Sequence, residues 1–406
     1  MKRCLALAAL LLASCRGGRE PEPVTYGSGS GTAATAPVAP PAPGSDLPKL
    51  PRSADGAAEL RRIDDDVARL RQEPARRVEL VQLLTARAAI TQKVEDYVEA
   101  LALTEVLVTA HPREVAVWKL RVTALTRVHR FAQARAALAK LSALTKEPSE
   151  TEELAATLDD ATGAPERAAP IRETIARTLR RPQEITLQAA NLALRGKLDA
   201  AVELIPTAAA AARDNSPVLF SWLYFQWGRL WEQKGELAKA RAAYAEAHRR
   251  LPGYVEATTH LAQLMVVAGE DPAKLLAEAL ETNRYPELLA LAGKLDEARR
   301  EWERYVTALP EAFADHAARF YLGPGKDPLR ALALAQANLA NRDSPEARSL
   351  AVEAALAANA PGEACSLADP LVSAPLRGHQ FIAWRALSAC GRTADADKLA
   401  AALGIR

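Results

Sequence analysis

A repeating pattern of paired amphipathic segments is the feature that most restricts how this 406-residue chain folds. From Ala54 onward, apolar residues recur at intervals of three and four, the period of an α-helix with one buried face. Glycines and prolines fall between these segments and divide them into helices of about 11 to 15 residues. Corresponding units start at Val81 and Val115, which are 34 residues apart. A period of this length predicts an all-α fold of tandem helix pairs.

The unit that starts at Ser221 carries the most complete set of repeated residues. Large, small and helix-ending residues stand at fixed places in it: Tyr224, Trp227, Gly228, Trp231, Gly235, Ala240, Tyr244, Ala247 and Pro252. This pattern resembles the tetratricopeptide repeat (TPR), in which small residues let two helices approach closely and large residues fill the space between them. The resemblance implies a right-handed α-solenoid of tandem helix-turn-helix repeats whose concave side is a surface for another protein chain.

The repeat is clearest in the middle of the chain and weaker towards both ends. The best-defined units are 81–114, 115–148 and 221–254. Weaker units contain Gly163, Gly196 and Gly293, and one unit between Leu261 and Pro286 is shortened. We expect about eight to ten helix pairs across residues 54–406. Because such pairs pack only on their neighbours, we expect the stability to be nearly a sum of local terms.

Residues 1–14 have the composition of an export signal. Lys2 and Arg3 precede an apolar run of about ten residues, which is too short to span a bilayer. The run ends in LASC, residues 12–15, which resembles the lipobox of bacterial lipoproteins. By that resemblance Cys15 becomes the first mature residue and carries a fatty acid such as palmitate, while Arg16 favours the outer membrane. An ordinary secretory signal cleaved elsewhere is the alternative.

Residues 15–53 form a low-complexity segment rich in Pro, Gly, Ser and Ala. This segment has almost no apolar surface to bury, so we predict a disordered tether. A flexible chain of about 35 residues reaches roughly 30 to 35 Å. The expected arrangement is therefore a folded array that faces the periplasm and is joined to the outer membrane through its N-terminal lipid alone.

The charge balance and the motifs argue against several classes of protein. Residues 1–14 contain two basic and no acidic residues, so their removal leaves 50 Lys and Arg against 50 Asp and Glu. A neutral chain has no global field to hold nucleic acid. The sequence GPGKDP, residues 323–328, has Asp327 where a phosphate-binding loop needs Ser or Thr, and is interpreted as a turn. The six histidines show no ligand spacing: His111, His129, His248, His260, His316 and His379.

The repeats also leave no segment large enough for a catalytic domain. We therefore expect no enzymatic activity, no cofactor and no metal site. The composition does not determine an oligomeric state.

Six aromatic residues between Phe220 and Trp231 mark the candidate functional site. By the TPR resemblance, Tyr224, Trp227 and Trp231 face the packed space between helices. The concave positions of the same helix are Trp222, Phe225, Arg229, Glu232 and Gln233. Two aromatic rings beside an arginine have the composition of an interface hot spot, so we predict that this groove is the main partner site. The alternative is that neighbouring helices cover both rings.

Cys365 and Cys390 remain for pairing once the signal is removed and Cys15 is acylated. Export to an oxidising compartment, and positions at neighbouring ends of consecutive helices, favour a disulfide between them. Two buried free thiols are the alternative.

The expected function is that of a lipid-anchored TPR scaffold or adaptor for protein partners of the bacterial cell envelope. Such a scaffold would serve an envelope machine for secretin or pilus assembly, outer-membrane protein insertion or polysaccharide export. Two alternatives are a glycan or small-molecule binding protein that uses the aromatic groove, and a regulatory subunit of a peptidoglycan enzyme.

Overall fold

The computed structural model describes residues 54–405, which form 21 α-helices, two short 3-10 helices and no β-strand. The N-terminal half contains α1 (Gly56–Leu70), α2 (Arg77–Thr91), α3 (Val94–Ala110), α4 (Val115–Arg127), α5 (Phe131–Leu144), α6 (Ser149–Ala161), α7 (Pro165–Leu179), α8 (Pro182–Leu194) and α9 (Leu198–Ala210). The C-terminal half contains α10 (Pro217–Gln233), α11 (Leu237–Arg250), α12 (Val255–Val267), α13 (Ala273–Thr282), α14 (Pro286–Leu291), α15 (Leu295–Ala308), α16 (Pro310–Leu322), α17 (Pro328–Asn341), α18 (Pro345–Ala357), α19 (Pro361–Ala368), α20 (Arg377–Ala389) and α21 (Thr393–Leu403).

After the single helix α1, the described helices form ten consecutive pairs, from α2 with α3 to α20 with α21. We call the first helix of each pair the A helix and the second the B helix. The predicted all-α fold of tandem helix pairs is confirmed, and the expected eight to ten pairs include this number. The export signal, Cys15 and the tether lie outside the described residues.

The turn inside each pair contains one residue in the left-handed backbone conformation. Six of these residues are glycines, and the other four are Gln92, His129, Lys326 and Asn359. After each of these residues except Gln92, the next N–H bonds back into the A helix, as Lys197 N–H does to the carbonyl of Leu192 at 2.9 Å. The turn conformation therefore repeats along the whole array, including the pairs whose sequence lacks the glycine.

The residues that defined the unit at Ser221 occupy the positions expected of them. Tyr224 and Trp227 are buried in the core, and Trp231 is partly buried beneath Lys239, whose ammonium lies 4.5 Å from the ring centroid. A Cβ at Gly228 would overlap the ring of Tyr244 on α11. A glycine at this position is thus what allows α10 and α11 to approach closely.

The two halves of the chain pack against each other, so the array is wound into a closed coil. The side-chain amide of Asn283 donates to the carbonyl of Thr91 at 2.6 Å, and that of Asn341 donates to the carbonyl of His129 at 2.8 Å. The partners in these bonds are 192 and 212 residues apart. We call this contact the inter-half interface; its N-terminal side consists of the turns within pairs and its C-terminal side of the loops between pairs.

Both hydrophobic cores at this interface include residues from each half. Tyr97 of α3 packs edge-on against Phe313 of α16, with ring centroids 6.2 Å apart. In the other core, Ile63 of α1 belongs to the same cluster as Trp222 of α10. The expectation that stability is a sum of neighbouring terms is therefore wrong, because apolar surface is also buried between pairs far apart in the sequence.

Two irregularities distinguish the array from a uniform repeat. The predicted shortened unit is found in α13 and α14, which have 10 and 6 residues. Pro170 and Pro206 lie in the interior of α7 and α9, whereas Pro165, Pro182 and Pro217 are the first residues of their helices.

Candidate partner-binding site

The residues predicted to form an exposed aromatic groove lie inside the coil. Trp222 and Phe225 are each 1% exposed, and Arg229 and Glu232 are each 6% exposed; Gln233, at the end of α10, is partly exposed. The exposure on which the predicted partner site depended is therefore not found. The arrangement that occurs is the alternative, in which neighbouring helices cover both rings.

Phe225 is covered by the next two helices of the chain. Its ring centroid lies 5.7 Å from that of Tyr244 on α11, 5.1 Å from that of Tyr254 and 5.6 Å from the ring of His260 on α12. Trp222 belongs to the core shared with α1 and α2 of the other half. The repeat pattern assigns both rings to the concave side, and in the structure neighbouring helices cover them.

Carboxylate and histidine pairs join successive A helices along the concave side of the C-terminal half. His260 Nδ1 lies 3.2 Å from Glu232 Oε2, and His316 Nδ1 lies 3.0 Å from Glu287 Oε1. A third pair, in which the closest atoms are 3.7 Å apart, joins the residues Glu346 and His379. We call these six residues the luminal pairs. They connect α10 to α12, α14 to α16, and α18 to α20.

Burial and pairing together set the protonation of the luminal pairs. Burial disfavours the charged form of His316, but the carboxylates of Asp315 and Glu287 outweigh it and raise the pKa of His316 to about 9. Burial also disfavours the carboxylate of Glu346, yet His379 outweighs it and holds the pKa of Glu346 at about 2. His316 is therefore protonated and Glu346 is ionised around neutral pH.

Three of the luminal side chains keep access to solvent although protein surrounds them. The side chains of His260, Glu287 and His316 are 25%, 26% and 30% exposed. The concave side of the C-terminal half is therefore lined by polar pairs that keep partial contact with solvent.

The last A helix, α20, repeats part of the predicted hot spot in a more exposed setting. Phe381 and Arg385 stand 10 and 6 residues before Gly391, as Phe225 and Arg229 stand before Gly235. Phe381 and its neighbour Trp384, whose ring centroids are 5.2 Å apart, are both partly exposed. No later A helix exists among the described residues to cover them, in contrast to Phe225.

Arg385 also faces a carboxyl group of the preceding A helix. Its Nη1 lies 3.7 Å from Glu353 Oε1 on α18, and both side chains are about one third exposed at 38% and 32%. Burial raises the pKa of Glu353, against the opposing effect of Arg319 and Arg385. Two aromatic rings and an arginine of α20 therefore lie beside an accessible acid of α18.

The predicted disulfide is present. Cys365 of α19 and Cys390 at the end of α20 are bonded, with their Cα atoms 6.0 Å apart. The bond ties α19 to α20 in a third, separate core formed by the last helices.

The described part of the chain has no helix with both the length and the apolar character that a membrane span needs. Within the same residues no group of three or more His, Cys, Asp or Glu side chains is placed to hold a metal ion. The segment at 323–328 is a turn, as predicted, and Asp327 caps α17 by accepting from Arg330 N–H at 3.0 Å.

No protein-family model matches the chain, and no curated protein sequence matches it. Among solved structures, the APC/C hetero-tetramer Cut9-Hcn1 is similar at 16% identity with a TM-score of 0.42; the match covers 84% of this chain and 61% of that chain. The human IFIT1 dimer with m7Gppp-AAAA is similar at 14% identity with a TM-score of 0.42; the match covers 77% of this chain and 76% of that chain. Yeast Tom70 is similar at 13% identity with a TM-score of 0.33; the match covers 84% of this chain and 97% of that chain.

Sequence reasoning missed the luminal pairs, although a signal for them exists. The six histidines show no metal-ligand spacing, but three of them follow a glutamate at the distance of about one repeat, 28 residues for Glu232 and His260 and 29 for Glu287 and His316. A search for opposite charges one repeat apart would have found these pairs, because one-repeat spacing places residues on facing A helices.

Proposed function

We propose that the chain is a non-enzymatic, lipid-anchored scaffold that binds protein partners of the bacterial cell envelope. The lipobox-like segment ending at Cys15 and the Pro-rich tether support the anchoring. The array of helix pairs supports the scaffold role, since stacked pairs present extended surfaces without a catalytic centre of their own.

The observation that carries the proposal is the exposed end of the concave side at α20. Phe381, Trp384 and Arg385 have the composition of an interface hot spot and are accessible, while the equivalent residues of α10 are buried. The proposed partner surface is therefore the C-terminal patch that we define by Phe381, Trp384, Arg385 and Glu353. An apolar side chain of the partner would contact the two rings, and a polar group would contact Arg385.

Site-specific photo-crosslinking in the native bacterium tests the partner surface. A photoreactive residue at position 381 should capture a discrete protein, and the same residue at position 225, which is enclosed, should capture none. Arg385→Ala should reduce capture from position 384 at least tenfold, since hot-spot truncations cost about 2 kcal/mol or more. Equal capture from positions 381 and 225, or from neither, contradicts the proposed surface.

Fatty-acid labelling and membrane fractionation test the anchor. Cys15→Ala should abolish labelling and leave an unprocessed precursor, whereas Cys4→Ala, inside the signal, should change neither. Continued labelling of Cys15→Ala contradicts lipid anchoring at this residue. The identity of the protein captured at position 381 then distinguishes an assembly machine from a peptidoglycan enzyme.

A further inference from the structure

The turns inside the helix pairs differ in exposure between the two halves of the chain. The left-handed residues of the four turns in the N-terminal half are buried or partly buried: Gln92, His129, Gly163 and Gly196. The C-terminal half covers these turns. Asn283 and Asn341 donate hydrogen bonds to the first two, and Asp343 and Pro375 lie within 3.0 Å of a Cβ placed at the two glycines.

The six turns of the C-terminal half have no such cover. Their left-handed residues are all exposed: Gly235, Gly269, Gly293, Lys326, Asn359 and Gly391. A Cβ placed at any of the four glycines in this set would have no other atom of residues 54–405 within 4 Å. We call this row of exposed turns the turn edge.

The loops between pairs show the opposite distribution. In the N-terminal half, the loops at 111–114, 145–148 and 180–181 are exposed at every residue except Thr145, which is partly exposed. We call these three loops the loop edge. In the C-terminal half, the corresponding loops place residues such as Arg342 and Ser344, each 6% exposed, in the inter-half interface. Because turns lie at one end of the helix pairs and loops at the other, the two exposed edges face in opposite directions.

Exposed large apolar side chains are concentrated at these two edges. At the loop edge they lie within the last five residues of α3, α5 and α7: Val106, Leu144 and Leu179. At the turn edge they lie at the end of α12 and at the starts of α15 and α17: Val266, Val267, Leu295 and Leu329. Elsewhere in residues 54–405 only Val98 and Val372 are exposed large apolar residues. This concentration is typical of interaction surfaces, whereas single exposed apolar residues need no explanation.

The inter-half interface shows what kind of surface fits each edge. In that interface, turns of the N-terminal half lie against loops of the C-terminal half, at four successive pairs. The turn edge and the loop edge are therefore the same two kinds of surface, left without a partner at opposite ends of the coil. Within one chain they cannot meet, but a second copy of the chain presents a loop edge to the turn edge of the first.

We propose that copies of this chain associate head to tail, with the turn edge of one copy against the loop edge of the next. The contact continues the coil from one chain into another and buries the apolar residues of both edges. Each copy keeps one free edge, so association adds further copies in a line and does not stop at a symmetric dimer. This self-association goes beyond the proposed scaffold function and depends neither on the lipid anchor nor on the C-terminal patch.

Sedimentation of the full chain, purified in detergent, tests the association. The average mass should rise above that of the monomer as the protein concentration increases. Leu329→Glu at the turn edge and Leu179→Glu at the loop edge should each raise the concentration needed for association at least tenfold, because each removes a leucine that the contact buries. Val98→Glu, at a residue that is as exposed as Leu179 but lies on neither edge, should associate like the parent. All three positions are exposed, so the melting temperatures should match that of the parent.

A mixture of the two edge variants distinguishes head-to-tail contact from a symmetric dimer. Leu329→Glu keeps its loop edge and Leu179→Glu keeps its turn edge, so an equimolar mixture should form a dimer and nothing larger. A symmetric dimer through one edge would instead persist in the variant that keeps that edge. Four results overturn the proposal: a parent that stays monomeric at about 1 mM, an edge variant that associates like the parent, a Val98→Glu variant that associates as poorly as the edge variants, or a mixture without a dimer.

Photo-crosslinking between isotope-labelled and unlabelled copies locates the contact. A photoreactive residue at position 329 of a labelled copy should link to loop-edge peptides of an unlabelled copy, around 106–114, 144–148 or 179–181. The same residue at position 98 should form no link between copies. Links from position 329 only to the turn edge of the other copy, or no links between copies, contradict head-to-tail association.

Discussion

Replacing Gly163 by alanine should weaken the packing between the two halves of the chain, and Gly293 provides a matched control. Both glycines lie in the turn inside a helix pair and have positive φ angles, 83° for Gly163 and 75° for Gly293. A Cβ at Gly163 would overlap the carbonyl oxygen of Asp343 in the other half, whereas nothing lies within 4 Å of a Cβ at Gly293. The two substitutions therefore differ mainly in their effect on the inter-half interface.

The expected magnitudes follow from these contacts. Alanine in the left-handed conformation costs roughly 1 to 2 kcal/mol at either position. The overlap with Asp343 adds about 1 to 3 kcal/mol for Gly163→Ala, the usual range for overpacking. Gly163→Ala should thus lose about 2 to 5 kcal/mol of unfolding free energy and Gly293→Ala about 1 to 2 kcal/mol.

Urea unfolding followed by circular dichroism measures the free energies, and hydrogen exchange locates the effect. In Gly163→Ala, amides around Asp343 should exchange faster, although they belong to the other half of the sequence. In Gly293→Ala, exchange there should match the parent. Equal free-energy losses in the two variants, with unchanged exchange around Asp343, would refute the closed coil.

Three further predictions follow from burial and pairing. Trp222→Ala should cost about 3 to 5 kcal/mol of stability, as Trp227→Ala should, and a Trp222→Ala melting temperature equal to that of the parent would contradict its burial. Burial, reinforced by Arg342, lowers the pKa of His129 from 6.5 to about 3, so the unfolded chain binds the extra proton and stability falls as pH drops below 6.5. Between pH 6.5 and 5 the free energy of unfolding should fall by up to about 2 kcal/mol in the parent but not in His129→Asn. An identical pH profile in that variant would contradict the role of His129 in this loss. Cys365→Ser should cost about 3 kcal/mol and make the segment around Cys390 the first site of limited proteolysis, and unchanged resistance there would count against the disulfide.

Much of the local structure follows from the sequence, because local rules act within one or two repeats. The glycines at 196, 235 and 293 mark turns, and Gly228 opposite Tyr244 predicts the close packing of α10 and α11. The pairing of Cys365 with Cys390 also follows, since the two cysteines lie at adjacent ends of consecutive helices. Each of these conclusions depends on residues fewer than about 40 positions apart.

The winding of the array is a property of the tertiary structure alone. Small rotations between successive pairs, together with the short helices α13 and α14, add up until residues 182 to 212 positions apart meet. No single repeat encodes that sum, so the repeat pattern assigns Trp222 and Phe225 to the concave side without showing that neighbouring helices bury them. The same contacts between distant pairs bury Phe225, whereas Phe381, its counterpart on α20, stays partly exposed because no later A helix of the described residues 54–405 packs over it.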